Sequence, residues 1–137
     1  MLAVPQFRFS EAARLLGVSD DTVRRWVDAG LLPAGVDPAG RKAVDGAELA
    51  RFAKAQAVEI ADPSDVGRSA RNQFVGLVTE VTADKVMAQV ELQCGPHRVV
   101  SLMSAEAVRE LGLTPGVLAV AVVKSTHVVV ETPGGRS

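Results

Sequence analysis

Residues 9–30 read FSEAARLLGVSDDTVRRWVDAG, two short helical segments separated by a glycine. Ser10 and Ser19 are good N-cap residues, and helix formers or N-terminal acids follow each of them. Gly17 supplies the left-handed stop between the two segments. The apolar residues of the second segment share one face at i, i+3, i+4 spacing, which leaves its arginines on other faces. This stretch therefore predicts a helix-turn-helix unit.

A third helix is predicted after this unit. Asp45 is its expected N-cap, Glu48 completes a capping box three residues on, and the helix continues through Leu49 and Phe52. Residues 1–57 carry eight basic and seven acidic side chains, so this half of the chain is nearly neutral. Its function must therefore be inferred from where its charges lie rather than from their sum.

The caps, glycines and tryptophan of residues 6–57 resemble the MerR/excisionase-type winged helix-turn-helix domains. The resemblance is carried by Phe9, Ser10, Ala13, Leu16, Gly17, Val18, Ser19, Thr22, Val23, Arg24, Arg25, Trp26, Gly30, Leu31, Leu32 and Pro33. It implies that residues 34–44 form a β wing, which turns at residues 37–40 and approaches DNA phosphates.

This resemblance implies DNA as a partner, since arginines can contact base edges or phosphates and hydroxyl groups can contact phosphates. A surface helix with solvated arginines is the alternative. Four acidic residues lie close by and the wing holds only two basic ones, so one copy should bind DNA weakly. The predicted DNA-binding residues are Ser19, Thr22, Arg24, Arg25, Arg41 and Lys42.

The second half of the chain predicts strands and turns, because valine-rich runs there alternate with Gly and Pro. Five strands are expected, at residues 74–81, 86–92, 97–103, 117–123 and 127–131, and Ser104 caps one short helix over residues 105–111. The fold class is α+β with two domains: a helical domain with a short wing, and a five-stranded OB-like β-barrel with one short helix.

A polar segment separates the two predicted domains. Residues 61–68 contain both Pro and Gly and form the expected linker. The helix-turn-helix domain is then residues 1–60, and the barrel domain is residues 69–137. The chain has 137 residues, which is long enough for two small domains.

Three motifs of the second half resemble the molbindin (Mop, TOBE-related) domain over residues 69–131. They are Ser69-Ala70-Arg71-Asn72-Gln73, Leu111-Gly112-Leu113-x-x-Gly116 and Lys124-Ser125-Thr126-x-Val128. The resemblance implies molybdate or tungstate as the ligand, bound between copies of the domain. Because this chain has one copy, it also implies a homo-oligomer. The oxyanion-binding positions it implies are Ser69, Ala70, Arg71, Ser104, Lys124, Ser125 and Thr126, with Ala70 and Thr126 offering only backbone amides.

The residue types also favour an oxyanion site without the family name. A tetrahedral dianion requires many hydrogen-bond donors, positive charge and no nearby carboxylate, and these segments supply hydroxyl groups, an arginine and a lysine. Two alternatives stay open: Ser104 could act only as an N-cap, and Lys124 could be a solvated charge. His97 and His127 lack the spacing of cation ligands, and Cys94, the one cysteine, is predicted to be structural.

These patterns favour a molybdate-responsive DNA-binding regulator of transcription. The alternative is an oligomeric molybdate or tungstate store whose helix-turn-helix serves assembly or partner binding. Binding of the molybdenum cofactor instead of the free anion is a variant. No pattern of a nucleophile with its base, a phosphate loop or paired carboxylates is present, so no enzyme activity and no catalytic cofactor are expected. No segment is apolar for long enough to span a membrane, which predicts a cytoplasmic protein.

Overall fold

The computed structural model describes residues 5–58, 60–64 and 66–133. The chain forms two units, Met1–Glu59 (the N-terminal unit) and Ile60–Ser137 (the C-terminal unit). No helix in the described ranges is both long and apolar enough to cross a membrane. The elements of the N-terminal unit are β1 (Gln6–Arg8), α1 (Phe9–Leu16), α2 (Asp20–Asp28), β2 (Gly35–Val36), β3 (Lys42–Asp45) and α3 (Gly46–Gln56).

The helix boundaries of the N-terminal unit follow local capping signals. Gly17 ends α1 with a left-handed φ of 68°, and the Ser19 side chain accepts the backbone N–H of Thr22 at 3.2 Å to begin α2. Asp45 caps α3 by accepting the N–H of Glu48 at 3.2 Å. These three predictions are confirmed.

The predicted N-cap at Ser10 is wrong, because α1 begins one residue earlier, at Phe9. The strand β1 runs directly into the helix, so Arg8 occupies the cap position. The Glu11 carboxylate accepts the backbone N–H of Arg8 at 3.0 Å and therefore satisfies the donor that precedes the helix.

A small antiparallel sheet accompanies these helices, with strand order β1-β3-β2. The β2–β3 hairpin lies inside the segment predicted to be a wing, and Asp37 builds its turn by accepting the N–H groups of Ala39 and Arg41, each at 2.9 Å. The first strand was not predicted. It places Phe7 against a core that joins all three helices and contains Ala12, Ala13, Val23, Leu32, Val44, Leu49 and Phe52.

The C-terminal unit is a four-stranded antiparallel sheet with one α-helix. Its elements are β4 (Asn72–Ala83), β5 (Met87–Cys94), β6 (His97–Ser104), α4 (Ala105–Leu111), β7 (Leu118–Val123) and a 3₁₀ helix at Ser125–His127. The strand order is β6-β5-β4-β7, so β6 and β7 are the edges. Alternate residues of β5 are buried, and this apolar alternation places Val90 and Leu92 in the core together with Val78 and Val108.

The predicted fifth strand at residues 127–131 is wrong. The chain forms the 3₁₀ turn after β7, and residues 128–132 then have no regular secondary structure. Val129 and Val130 are 82% and 83% exposed. A valine-rich segment becomes a strand only where a neighbouring strand supplies hydrogen-bond partners, and the described part of the chain supplies none to this segment.

An open groove of about 740 Å³ lies against the sheet, and Pro63, Ser64 and Arg68 form part of its lining. Side chains of β5, β6 and β7 line it, together with Leu111 and Leu113 at the end of α4. The C-terminal unit is thus barrel-like, but no backbone pairing in the described part of the chain closes it between β6 and β7.

The backbone of β4 lies close to the end of β5 at Gly76. A Cβ atom at this position would lie 2.3 Å from the carbonyl oxygen of Gln93 and 2.6 Å from the Sγ of Cys94. Cys94 is buried, and its thiol lies 3.6 Å from the carbonyl oxygen of Phe74. Because a Cβ atom would meet a backbone carbonyl, only glycine fits between these two strands.

Candidate functional site

Two of the predicted donor segments lie side by side at one end of the C-terminal sheet. Asn72, the first residue of β4, is the cross-strand partner of Val123, the last residue of β7. The segment 69–71 enters β4 at this end, and the segment 124–126 leaves β7 at the same end. The structure therefore brings these two donor segments together within one chain.

The exposed residues of both segments can reach a ligand. Ser69, Arg71, Lys124 and Ser125 are exposed, whereas the side chain of Ala70 is buried and can offer only its backbone amide. Thr126 is also exposed, so its hydroxyl group is as accessible as its amide. No carboxylate occurs in residues 69–73 or 123–128. This end of the sheet is consequently rich in donors and positively charged.

The 3₁₀ turn orients the second donor segment. Lys124 precedes the turn, and its carbonyl oxygen accepts the N–H of His127 at 2.9 Å. The first N–H groups of a helical turn have no partner inside the turn, so the amides of Ser125 and Thr126 point away from it. Backbone and side-chain donors of this segment are therefore available together.

Ser104 lies at the other end of the sheet. It ends β6 and pairs with Met87, the first residue of β5, while β4 ends beside them at Ala83. Its hydroxyl group accepts the N–H of Ala107 at 3.0 Å and caps α4, which confirms the capping role. Within one chain, the structure does not bring Ser104 to the other predicted anion-binding residues.

Two polar residues near the donor segments were missed from the sequence. The Nδ2 of Asn72 donates to the carbonyl oxygen of Val123 at 3.2 Å. Arg68 pairs with Asp62 at 3.2 Å, and Asp62 also accepts the backbone N–H of Ser64 at 2.8 Å. These contacts close the predicted linker into a loop just before Ser69. The spacing of Asp62 and Ser64 is typical of an Asx turn, so the loop could have been predicted from the sequence. The contact of Asn72 with Val123 could not, because it depends on the register of the two strands.

The predicted DNA-binding residues of α2 contact one another and an acid. The hydroxyl groups of Ser19 and Thr22 lie 3.0 Å apart, and the Thr22 hydroxyl accepts from Arg25 at 3.1 Å. Arg24 is exposed and pairs with Asp21 at 2.9 Å. The structure therefore gathers these four residues on one helix, with part of their hydrogen-bonding capacity already used.

The basic residues of the β2–β3 hairpin lie next to an acid as well. Arg41 pairs with Asp37 at 3.0 Å, while Lys42 is exposed at the start of β3. The backbone N–H of Arg41 is the main cause that lowers the pKa of the Asp37 carboxyl, and the Arg41 guanidinium adds to it. Asp37 thus stays ionised and offsets one of the two predicted basic charges.

The structure also places the two histidines and the cysteine that were predicted not to bind a metal. His97 and His127 are exposed, and the described ranges hold no group of three or more His, Cys, Asp or Glu that could bind a metal ion. Burial raises the pKa of the Cys94 thiol, which keeps it protonated.

Comparisons with known proteins match both halves of the chain. Residues 7–57 match the family described as helix-turn-helix domain, and residues 68–130 match the TOBE domain. Molybdenum-pterin-binding protein 2 of Clostridium pasteurianum is 41% identical over 63 residues, which cover 45% of this chain and 93% of that protein. Molybdenum-pterin-binding protein MopA of Rhodobacter capsulatus is 37% identical over 93 residues, which cover 64% of this chain and 34% of that protein.

Two solved structures are similar to the same region. MopII from Clostridium pasteurianum shares 39% identity and has a TM-score of 0.45, covering 48% of this chain and all of that one. The cytoplasmic molybdate-binding protein ModG, in a form with molybdate bound, shares 40% identity and has a TM-score of 0.44, covering 47% of this chain and 46% of that one. From the matched TOBE region and the curated relative that it covers almost completely, the chain belongs to the TOBE-domain family of molybdenum-pterin-binding (Mop) proteins, with a helix-turn-helix domain at its N-terminus.

Proposed function

We propose that this protein binds molybdate between copies of its C-terminal unit and that the bound anion regulates DNA binding by its N-terminal unit. The proposed molybdate binding rests on one observation: the segments 69–71 and 124–126 lie side by side at one end of the sheet. A tetrahedral dianion is held by charge-assisted hydrogen bonds, and the two segments offer hydroxyl, guanidinium, ammonium and amide donors while neither contains a carboxylate. Tungstate has the same charge and shape and should bind in the same way.

The names of the curated relatives support molybdenum as the element that is bound, since they are called molybdenum-pterin-binding proteins. The donors on this chain favour the free anion over a pterin. Arg71 and Lys124 are charged donors at a strand end, and the two segments contain no aromatic side chain against which a pterin ring could stack.

A complete site requires more than one copy of the chain. The donors at the start of β4 and at Ser104 occupy opposite ends of the sheet, so a site that uses both sets must draw them from two chains. The valine run 128–130 is exposed and the edge strands β6 and β7 are unpaired on one side in the described part of the chain, which also favours assembly. We therefore propose a homo-oligomer in which anion sites form at contacts between subunits.

Isothermal titration calorimetry with sodium molybdate tests the anion site. Arg71→Ala and Lys124→Ala should each lower the affinity by at least about tenfold, because each removes one charged hydrogen-bond donor. Lys54→Ala is the matched control, since Lys54 is an exposed lysine on α3 of the N-terminal unit and belongs to none of the proposed donor segments. An unchanged affinity in both test variants, with the protein folded, would show that the anion binds elsewhere.

The second part of the proposal rests on α2 and the hairpin β2–β3. Arg24, Arg25 and Lys42 are exposed, and a helix that follows a short turn is the element that helix-turn-helix proteins place in the major groove. Few phosphates would be neutralised by one copy, so useful affinity requires several copies held together. Because the anion sites form only in the assembly, occupancy and DNA affinity would be linked. This arrangement would act in the cytoplasm, as a binding protein without enzyme activity.

Selection of genomic DNA fragments on the purified protein, with and without molybdate, tests this part. A regulator should enrich a defined sequence, and the enrichment should change with the anion. The variant Arg24→Ala/Arg25→Ala should lose the enrichment but keep its molybdate affinity. Fragment recovery that is independent of sequence in both conditions would exclude the regulatory role.

Oxyanion storage is the second candidate function. It is favoured by the ion pairs Arg24–Asp21 and Arg41–Asp37, which reduce the net positive charge that the N-terminal unit can offer to phosphates. A storage protein would take up molybdate with the stoichiometry of its interface sites and would show no sequence-selective DNA binding. Its helix-turn-helix would then serve assembly or a protein partner.

A further inference from the structure

We propose that Asn72 is the positioning residue of the anion site, because it fixes the peptide that carries the Lys124 amide beside the segment 69–71. This inference rests on the proposed molybdate binding. Asn72 would not touch the anion itself. It would act through the backbone to which the donors are attached.

The contact that carries the inference crosses between two strands. The Nδ2 of Asn72 donates to the carbonyl oxygen of Val123 at 3.2 Å, over a sequence separation of 51 residues. The two residues are also direct partners in the β4–β7 ladder, and no further pair follows them at this end. The side-chain hydrogen bond therefore reinforces the last pair of the ladder, where strands ordinarily fray.

The hydrogen bond from Asn72 fixes the Lys124 amide because its acceptor is the carbonyl oxygen of Val123. The carbonyl of Val123 and the N–H of Lys124 belong to one planar peptide group, so fixing the oxygen also fixes the direction of that N–H. The orientation of this plane also sets where the Lys124 side chain departs. The 3₁₀ helix begins directly after Lys124. The hydrogen bond from Asn72 therefore fixes the first peptide group of the segment 124–126.

The other side of Asn72 is joined to the first donor segment by the chain itself. Arg71 is its neighbour, and the buried side chain of Ala70 anchors the same segment in the C-terminal unit. One half-buried amide therefore adds a side-chain hydrogen bond between two segments that the ladder also joins. An aspartate at this position could not donate to the carbonyl and would bring a negative charge to the anion, which explains why an amide is needed here.

Molybdate titrations of full-length variants test this role. Asn72→Ala should weaken the affinity for sodium molybdate by about two- to tenfold, the equivalent of one neutral hydrogen bond. Gln73→Ala is the matched control, because it makes the same change at the next, exposed position of the same strand, and it should stay within about twofold. Asn72→Gln, which keeps an amide donor, should restore most of the affinity. Asn72→Val removes the donor but keeps a high strand propensity, and it replaces Asn72→Ala if that variant does not fold.

A double-mutant cycle separates positioning from a general structural role. If Asn72 acts through the Lys124 segment, Asn72→Ala should have a smaller effect on affinity in the Lys124→Ala background than in the wild type. Equal effects in both backgrounds would overturn the proposal. So would a loss of thermal stability in Asn72→Ala with unchanged molybdate affinity. Wild-type protein that binds no molybdate would instead overturn the proposed function.

Discussion

Replacing Gly76 with alanine tests how closely β4 packs against β5. The backbone of Gly76 is an ordinary strand, so the substitution is opposed by space and not by backbone conformation. The new Cβ atom would lie 2.3 Å from the carbonyl oxygen of Gln93 and 2.6 Å from the Sγ of Cys94. A Cβ atom and an oxygen need about 3 Å or more, so the two strands must separate by more than half an ångström at this point.

The expected loss of stability follows from two opposing effects. Overpacking a core costs about 1–3 kcal/mol, and the value here should be at the upper end because the obstructing atom belongs to the backbone. Alanine restricts the unfolded chain more than glycine does, and this effect alone raises the free energy of unfolding by about 0.5–1 kcal/mol. The net loss is then about 2 kcal/mol, which lowers the Tm of a domain of this size by about 8–16 °C.

Thermal unfolding followed by two signals is the assay. Far-UV circular dichroism follows the secondary structure of both units, while the fluorescence of Trp26, the one tryptophan, follows the N-terminal unit. The dichroism transition that has no counterpart in fluorescence therefore belongs to the C-terminal unit. It should move in Gly76→Ala, and the fluorescence transition should stay in place. Gly67→Ala is the control, since nothing lies within 4 Å of a Cβ atom there. Adding Cys94→Ala should recover only part of the loss, because the carbonyl remains. A wild-type Tm in Gly76→Ala would refute this account of the packing.

Four further predictions address charge, acidity and assembly. Asp21→Asn releases Arg24 from its ion pair and should therefore tighten DNA binding. The slope of log affinity against log salt concentration should become steeper by up to about one unit. An unchanged slope, measured by fluorescence anisotropy, would argue against contact between Arg24 and a phosphate. The backbone N–H of Arg41 is the main cause that lowers the pKa of Asp37. The ionised carboxylate therefore stabilises the fold above its unfolded pKa, and this contribution is lost as the pH falls through the lower folded pKa. The difference in Tm between wild type and Asp37→Ala should be full at pH 6 and should shrink in acid (about pH 3 and below). Burial raises the pKa of the Cys94 thiol, so Ellman's reagent should modify it slowly in the folded protein and quickly in denaturant. Val129→Lys alters a side chain that is exposed in the single chain, and should therefore leave the Tm of the monomer unchanged but reduce the mass seen by light scattering; an assembly of wild-type mass would exclude this segment from the subunit contacts.

Local signals in the sequence predicted the helices well. Ser19, Asp45 and Ser104 each cap a helix as expected, because a cap depends on the few residues that follow it. The helix over residues 105–111 has the predicted bounds. The cap at Ser10 failed because a non-local strand, β1, extends to Arg8 and determines where the helix can begin. A strand of three residues has too few positions to show a period, so β1 itself left no signal.

Features that depend on pairing between distant residues could not be predicted in the same way. The types of donor in the anion site were evident from the sequence, but their meeting depends on the register that places Asn72 opposite Val123. The run 127–131 has the composition of a strand, yet composition says nothing about whether an edge is within reach. Ion pairs within a helix, such as Arg24–Asp21 on α2, follow i,i+3 spacing and could have been predicted in detail.

The residues that flank the exposed valine run 128–130 limit the ways in which it can pair with another strand. Three identical side chains in a row would accept a neighbouring edge in several registers, and such a segment invites indiscriminate aggregation. Here Lys124 and Glu131 bracket the run, and Pro133 follows two residues later. Charges and proline are the residues that natural proteins use to protect a vulnerable edge. A misaligned partner would bury the Glu131 charge against an apolar edge or hold Lys124 away from the anion, whereas the proposed assembly leaves Glu131 in water and keeps Lys124 at the anion. In the proposed assembly, the residues beside the run would thus limit the number of registers in which it can pair, and the lysine proposed to hold the anion would be one of them.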